Sequence, residues 1–103
     1  LASVASQRQL DLAEAALARK VPAIHALRGA NPGHGVLVIT VMKMPDPDRF
    51  DPAVRGQISA SFVGVFLRDA PTYEEAMAEW GSLQDPDYVY ECAYAWYPPV
   101  PAI

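Results

Sequence analysis

Val36-Leu-Val-Ile-Thr-Val-Met42 places five β-branched residues in seven positions, and its only polar side chain is Thr40. Branching at Cβ restricts χ1 and favours extended backbone. A half-buried strand alternates apolar and polar residues, because side chains take opposite faces with a period of two. This run is apolar at both parities. It therefore predicts a strand buried on both faces or nearly so.

Upstream lies Gly29-Ala-Asn-Pro-Gly-His-Gly35, a loop by composition. Its glycines do not make a phosphate loop. No Gly-Lys-Ser/Thr ending follows, and the loop leaves a helix and enters a strand, so no helix N-terminus points into it. That helix opens at Ser6, with Gln9 completing a capping-box pattern. Asp11 and Glu14 near its start and Arg19 and Lys20 further on suit the helix dipole. Leu10, Ala13, Leu17, Val21 and Ile24 recur at helical spacing and form the expected core stripe. Pro22 is expected to end or kink the helix, or to begin a short second one, Ala23 to Arg28, closed by Gly29.

Downstream, Met44-Pro-Asp-Pro-Asp-Arg-Phe-Asp-Pro52 breaks the strand. A second strand is expected over Gln57–Leu67. Ile58, Ala60, Phe62, Gly64 and Phe66 would share one face, and Gly64 would mark a bulge or a close approach by the helix. Thr72 and Glu75 form a second capping box. Tyr73, Ala76, Met77, Trp80 and then Leu83 or Gln84 trace the buried face of a second helix, with Glu74, Glu75 and Glu79 outward. Asp85-Pro-Asp87 turns into Tyr88-Val-Tyr-Glu-Cys-Ala-Tyr-Ala-Trp-Tyr97. As a strand, this run sets Tyr88, Tyr90, Cys92, Tyr94 and Trp96 on one face and Val89, Glu91, Ala93, Ala95 and Tyr97 on the other. Pro98, Pro99 and Pro101 end it.

The 103 residues fit one domain, and 51% hydrophobic content is enough for a packed core. No apolar run is long enough to span a bilayer, and no signal-peptide pattern is visible. A lone cysteine, Cys92, precludes an internal disulfide and suits a reducing, cytoplasmic setting; its place in a strand suggests a structural thiol. The net charge of −4 is uneven. Residues 69–103 contain Asp69, Glu74, Glu75, Glu79, Asp85, Asp87 and Glu91 and no Lys or Arg. Such a segment would repel a phosphate backbone, so no nucleic-acid partner is expected.

The constellations that could carry chemistry are thin. His25 and His34 are the only histidines, their spacing fits no metal site, and one cysteine cannot complete a zinc set. Asp46, Asp48 and Asp51 lack the glycine and the final glutamate of a calcium loop. Ser59 and Ser61 sit in no nucleophile elbow. Arg68-Asp69 suggests a strand end pairing into a helix cap. No cofactor, metal or catalytic residue is expected. The ligand or interface candidates are His34, held free between glycines, the strand residues Tyr90, Tyr94 and Trp96, and Arg55.

The expected fold is α+β: a small, mainly antiparallel three-stranded sheet backed by two helices, in the order αββαβ. This order resembles a ferredoxin-like unit lacking its first strand, an analogy of topology that carries no function. Seven of the tyrosine and tryptophan rings fall in the last 31 residues, more than one small core hides. The leading functional expectation is a non-enzymatic binding or assembly module, homo-oligomeric, using the aromatic strand face. The alternative is a small cofactor-free enzyme or binder of an apolar or aromatic ligand, of the dimeric α+β barrel type, with a pocket near His34.

Overall fold

The computed structural model describes residues 6–46, 60–81 and 87–101. Five elements run in the expected order: α1 (Gln7–Ala30), β1 (Gly35–Pro45), β2 (Ser61–Ala70), α2 (Tyr73–Trp80) and β3 (Tyr88–Tyr97). The three strands form an antiparallel sheet in the order β2-β1-β3. The class is α+β, and the β-branched run lies in the middle strand. No helix among the described residues is long and apolar enough to cross a membrane.

Val36, Leu37, Val38, Ile39 and Val41 are each at most 1% exposed, which bears out two-sided burial. Each side takes one helix. Val36 and Val38 pack with Ile24 of α1 and with Val65, flanked by Ala16, Leu27, Phe62 and Leu67. Leu37, Ile39 and Val41 pack with Ala70 and with Ala76 and Trp80 of α2. The helices thus cover opposite faces. Burial of a large aliphatic side chain contributes about 1.5–3 kcal/mol, so β1 alone contributes much of the stabilisation on both sides.

α1 begins as the sequence predicts, with Ser6 Oγ accepting from Gln9 N at 3.4 Å. The capping box is not reciprocal, because Gln9 Oε1 instead accepts from Phe62 N of β2 at 2.8 Å. The expected break at Pro22 does not occur: the helix runs on to Ala30 and is capped at Asn31. Proline at this position removes the N–H that would have bonded the Ala18 carbonyl. Both residues are exposed, so water can take that carbonyl, and Ile24 and Leu27 beyond the proline hold the last turns to the sheet.

The core stripe of α1 is also corrected. Ile24 is buried and Ala13 and Ala16 are half-buried, but Leu10, Leu17 and Val21 are exposed. Helical spacing alone admitted a stripe through Leu10 and Leu17. The small Ala13 and Ala16, with the Gln9 anchor, set the helix down on a neighbouring face.

In β2, the register passes from Val41↔Gly64 to Met42↔Phe62, leaving Val63 unpaired. This bulge, adjacent to Gly64, moves Phe62 to the α1 side while Phe66 stays on the α2 side. The strict alternation expected for this strand therefore breaks there. Ile58, Leu83 and Gln84, expected in the core, lie outside the described residues. A close backbone approach occurs at Gly35, not at Gly64. A Cβ on Gly35 would stand 2.5 Å from Trp96 Cζ2 and 2.5 Å from the Tyr97 carbonyl oxygen.

α2 is capped by Thr72 Oγ1, which accepts from Glu75 N at 3.2 Å, and ends at Gly81, whose φ of 64° suits glycine. Ala76 and Trp80 are buried and Met77 packs beside them, as expected, but Tyr73, expected on the same buried face, is exposed at the start of the helix. Trp80 stacks obliquely on Phe66 at 5.3 Å between centroids, and the Arg68 guanidinium lies 5.3 Å from the Trp80 ring centre. Arg68 and Asp69 do not act together at a cap. Adjacent strand residues point to opposite faces, so Arg68 goes to α2 and Asp69 to the C-terminal end of α1.

Two substitutions test this packing. Trp80→Ala should lower the unfolding free energy by about 3–5 kcal/mol, close to the whole stability of a small domain. Gly35→Ala should cost about 1–3 kcal/mol by overpacking against Trp96 and the β3 backbone. Chemical denaturation followed by circular dichroism measures both, and an unchanged midpoint for either would contradict the packing described.

Candidate functional site

A helix is about 10 Å across, and strands lie about 4.8 Å apart, so one helix covers about two strands. α1 packs on β2 and β1, and α2 also packs chiefly on that pair. β3 is left as an edge strand, held mainly by its ladder to β1 from Val36↔Tyr97 to Pro45↔Tyr88. The candidate site is built on this strand.

Its two faces are those expected from alternation. Tyr90, Cys92 and Trp96 pack against the core on the α2 side. Tyr94, on the same face, is 43% exposed, and Tyr88 is exposed at its edge with Lys43 Nζ 4.4 Å from the ring centre. Tyr73 meets Trp96 edge to face at 6.1 Å. On the α1 side, Val89, Glu91, Ala93 and Ala95 are all exposed. Leu10, Leu17 and Val21 lie outside the packed stripe of α1. Leu10 and Ala13 face Thr40, Met42 and Ala93 across a shallow cleft of about 280 Å³.

The Tyr94 hydroxyl lies near Cys92, Trp80 and Tyr73. Its pKa is raised from the ordinary phenol value, chiefly because the hydroxyl is partly withdrawn from water. Hydrogen bonding and charge interaction with Cys92 raise it further, and nearby Tyr73 adds to this. The Trp80 indole opposes the shift. Trp80 Nε1 is buried and makes no well-formed hydrogen bond.

His34 sits elsewhere. It closes the turn after α1, with its N–H donating to the Asn31 carbonyl at 2.9 Å. Its Nδ1 lies 3.4 Å from Asp69 Oδ2, which also accepts from Asn31 Nδ2 at 3.0 Å. No hydrogen bond forms between His34 Nδ1 and Asp69, and the contact is an ion pair when the imidazole is protonated. On the neighbouring surface, Arg28 Nε donates to the Pro98 carbonyl at 3.0 Å. Arg28, Pro32, Gly33, Pro99 and Pro101 line a cleft there of about 560 Å³. Neither cleft is lined by His34, Tyr90, Tyr94 or Trp96. Arg55, Asp48, Asp51 and Ser59 lie outside the described residues. Among the described residues, no group of three or more His, Cys, Asp or Glu side chains is placed to hold a metal ion.

Sequence reasoning thus found the aromatic face but missed the small, exposed back face of β3 and the outward leucines of α1. The available signal was the width of the apolar arc on α1: Leu10, Leu17 and Val21 add to Ala13, Ala16, Ile24 and Leu27. Comparison with protein-family models, curated proteins and solved structures gives no match.

The Tyr94 environment predicts a pH dependence. A phenol whose pKa is higher folded than unfolded stabilises the fold fully below the unfolded value of about 10. That contribution is lost as pH rises from there through the folded value. In an ultraviolet titration of tyrosinate, Tyr94→Phe should remove a phenol that ionises late. Loss of a phenol that ionises at or below about pH 10 would place the hydroxyl in open water instead.

Proposed function

We propose that this chain is a non-enzymatic assembly module that binds a second copy of itself through β3 and the surface beside it. The observation that carries this reading is the apolar surface left open on one subunit. Tyr88, Val89 and Tyr94 of β3 and Leu10, Leu17 and Val21 of α1 are all exposed. Each of these side chains is 36–45% exposed, so association could recover only part of the roughly 1.5–3 kcal/mol that full burial of a large side chain contributes.

The aromatic side also has the chemistry of an interface core. Tyrosine and tryptophan provide large rigid contact area with few rotatable bonds, and their polar tips can stay hydrated or bond to a partner. The back face supplies small residues, Ala93 and Ala95, that permit close approach.

Light scattering coupled to size exclusion tests the reading. The expected result is a mass of about twice the 11.2 kDa chain, falling on dilution. Tyr94→Ala should weaken this association more than it lowers the melting temperature, because burial of that ring is completed only in the complex. A single species of monomer mass at high concentration would overturn the proposal.

A further inference from the structure

Self-association through β3 could occur by stacking sheet faces or by joining sheet edges. We infer that two copies join edge to edge, β3 against β3 and antiparallel, with Cys92 opposite Cys92, to form one continuous six-stranded sheet. This deepens the assembly reading and rests on it.

The contrast between the two edges of the sheet carries the inference. The β2 edge has several of the features that discourage pairing. It is bulged at Val63, the Phe62 N–H is taken by Gln9 of α1, and it bears the charged pair Arg68 and Asp69. The β3 edge has no bulge among the described residues. Its ten residues pair with β1 without a register shift, contain no proline, and include a single charge, Glu91. Such a strand offers its outer N–H and C=O groups as a template, and an antiparallel copy is complementary to it by symmetry.

Charge argues against stacking through the α2 faces. The α2 face presents Glu74, Glu75 and Glu79, all exposed, on a helix with no basic residue. Stacking two such faces would oppose acidic helices in a desolvating interface, whereas in-plane pairing keeps them apart on the outer surface.

The register follows from faces and partners. A two-fold axis normal to the sheet keeps each face on its own side, so opposed residues must have the same parity. Centring on Cys92 sets Tyr90 opposite Tyr94 and Tyr88 opposite Trp96 of the second copy, which makes aromatic cross-strand pairs on the α2 side. On the other face, Val89 meets Ala95 and Glu91 meets Ala93. Centring on Ala93 would put Tyr88 opposite Pro98, which has no N–H to offer.

The opposition of Ala93 and Glu91 gives a charge-sign test. Ala93 is exposed, so replacing it leaves the core of a single subunit intact. By symmetry Ala93→Glu creates two like-charge pairs, and it should weaken dimerisation about 2- to 30-fold in sedimentation equilibrium. Ala93→Lys creates two opposite-charge pairs and should leave the affinity equal or tighter. As a second readout in the unaltered protein, alternate amides of β3 should gain protection from hydrogen exchange as concentration rises through the dissociation constant. A monomer at all concentrations would overturn both this inference and the assembly proposal. A dimer for which Glu and Lys at position 93 act alike would overturn the register. A dimer in which the β3 amides gain no protection would overturn edge pairing and leave assembly by another surface.

Discussion

The two-sided burial of β1 is the constraint on which the rest of the fold depends. A strand whose residues are apolar at both parities cannot lie at a sheet edge or against solvent without exposing several large side chains. It therefore takes a strand on either side and a helix on either face. Val36 and Val38 direct α1 to one face through Ile24, and Leu37, Ile39 and Val41 direct α2 to the other through Ala76 and Trp80.

That solution leaves part of the sheet uncovered. One helix per face covers about two strands, and both helices take the β1–β2 pair. The β1–β2 side is locked by Gln9 against Phe62 and by Asn31 against Asp69. β3 has the ladder to β1 and the aromatic contacts of Trp96 with Tyr73 and of Cys92 and Tyr90 with the core. The open surface of the molecule follows from how the centre is filled, and the proposed self-association acts on that surface.

The candidate site was partly legible. Period-two alternation placed Tyr90, Tyr94 and Trp96 on one face, because a strand's geometry is local and tolerates little variation. The relation of His34 to that face was not legible. His34 lies in a turn whose direction depends on where α1 stops, and α1 stopped late because exposed Pro22 could sit within a helix held at both ends. The faces of β2 were half legible. Gly64 signalled an irregularity, but the direction in which the Val63 bulge turned Phe62 depended on α1 lying beside it.

The sequence by itself determined the element order, both helix N-caps, the two-sided burial of β1 and the faces of β3. Each of these rests on steric preference, hydrogen bonding or apolar pattern within a few residues of chain. Tertiary structure decided which strands flank β1, which helix takes each of its faces, that Leu10, Leu17 and Val21 stay outside the core, and that Gly35 is where the backbone must yield to Trp96. These outcomes depend on contacts between residues far apart in the chain. Apolar periodicity states how much surface must be buried, and only the packed arrangement decides against what.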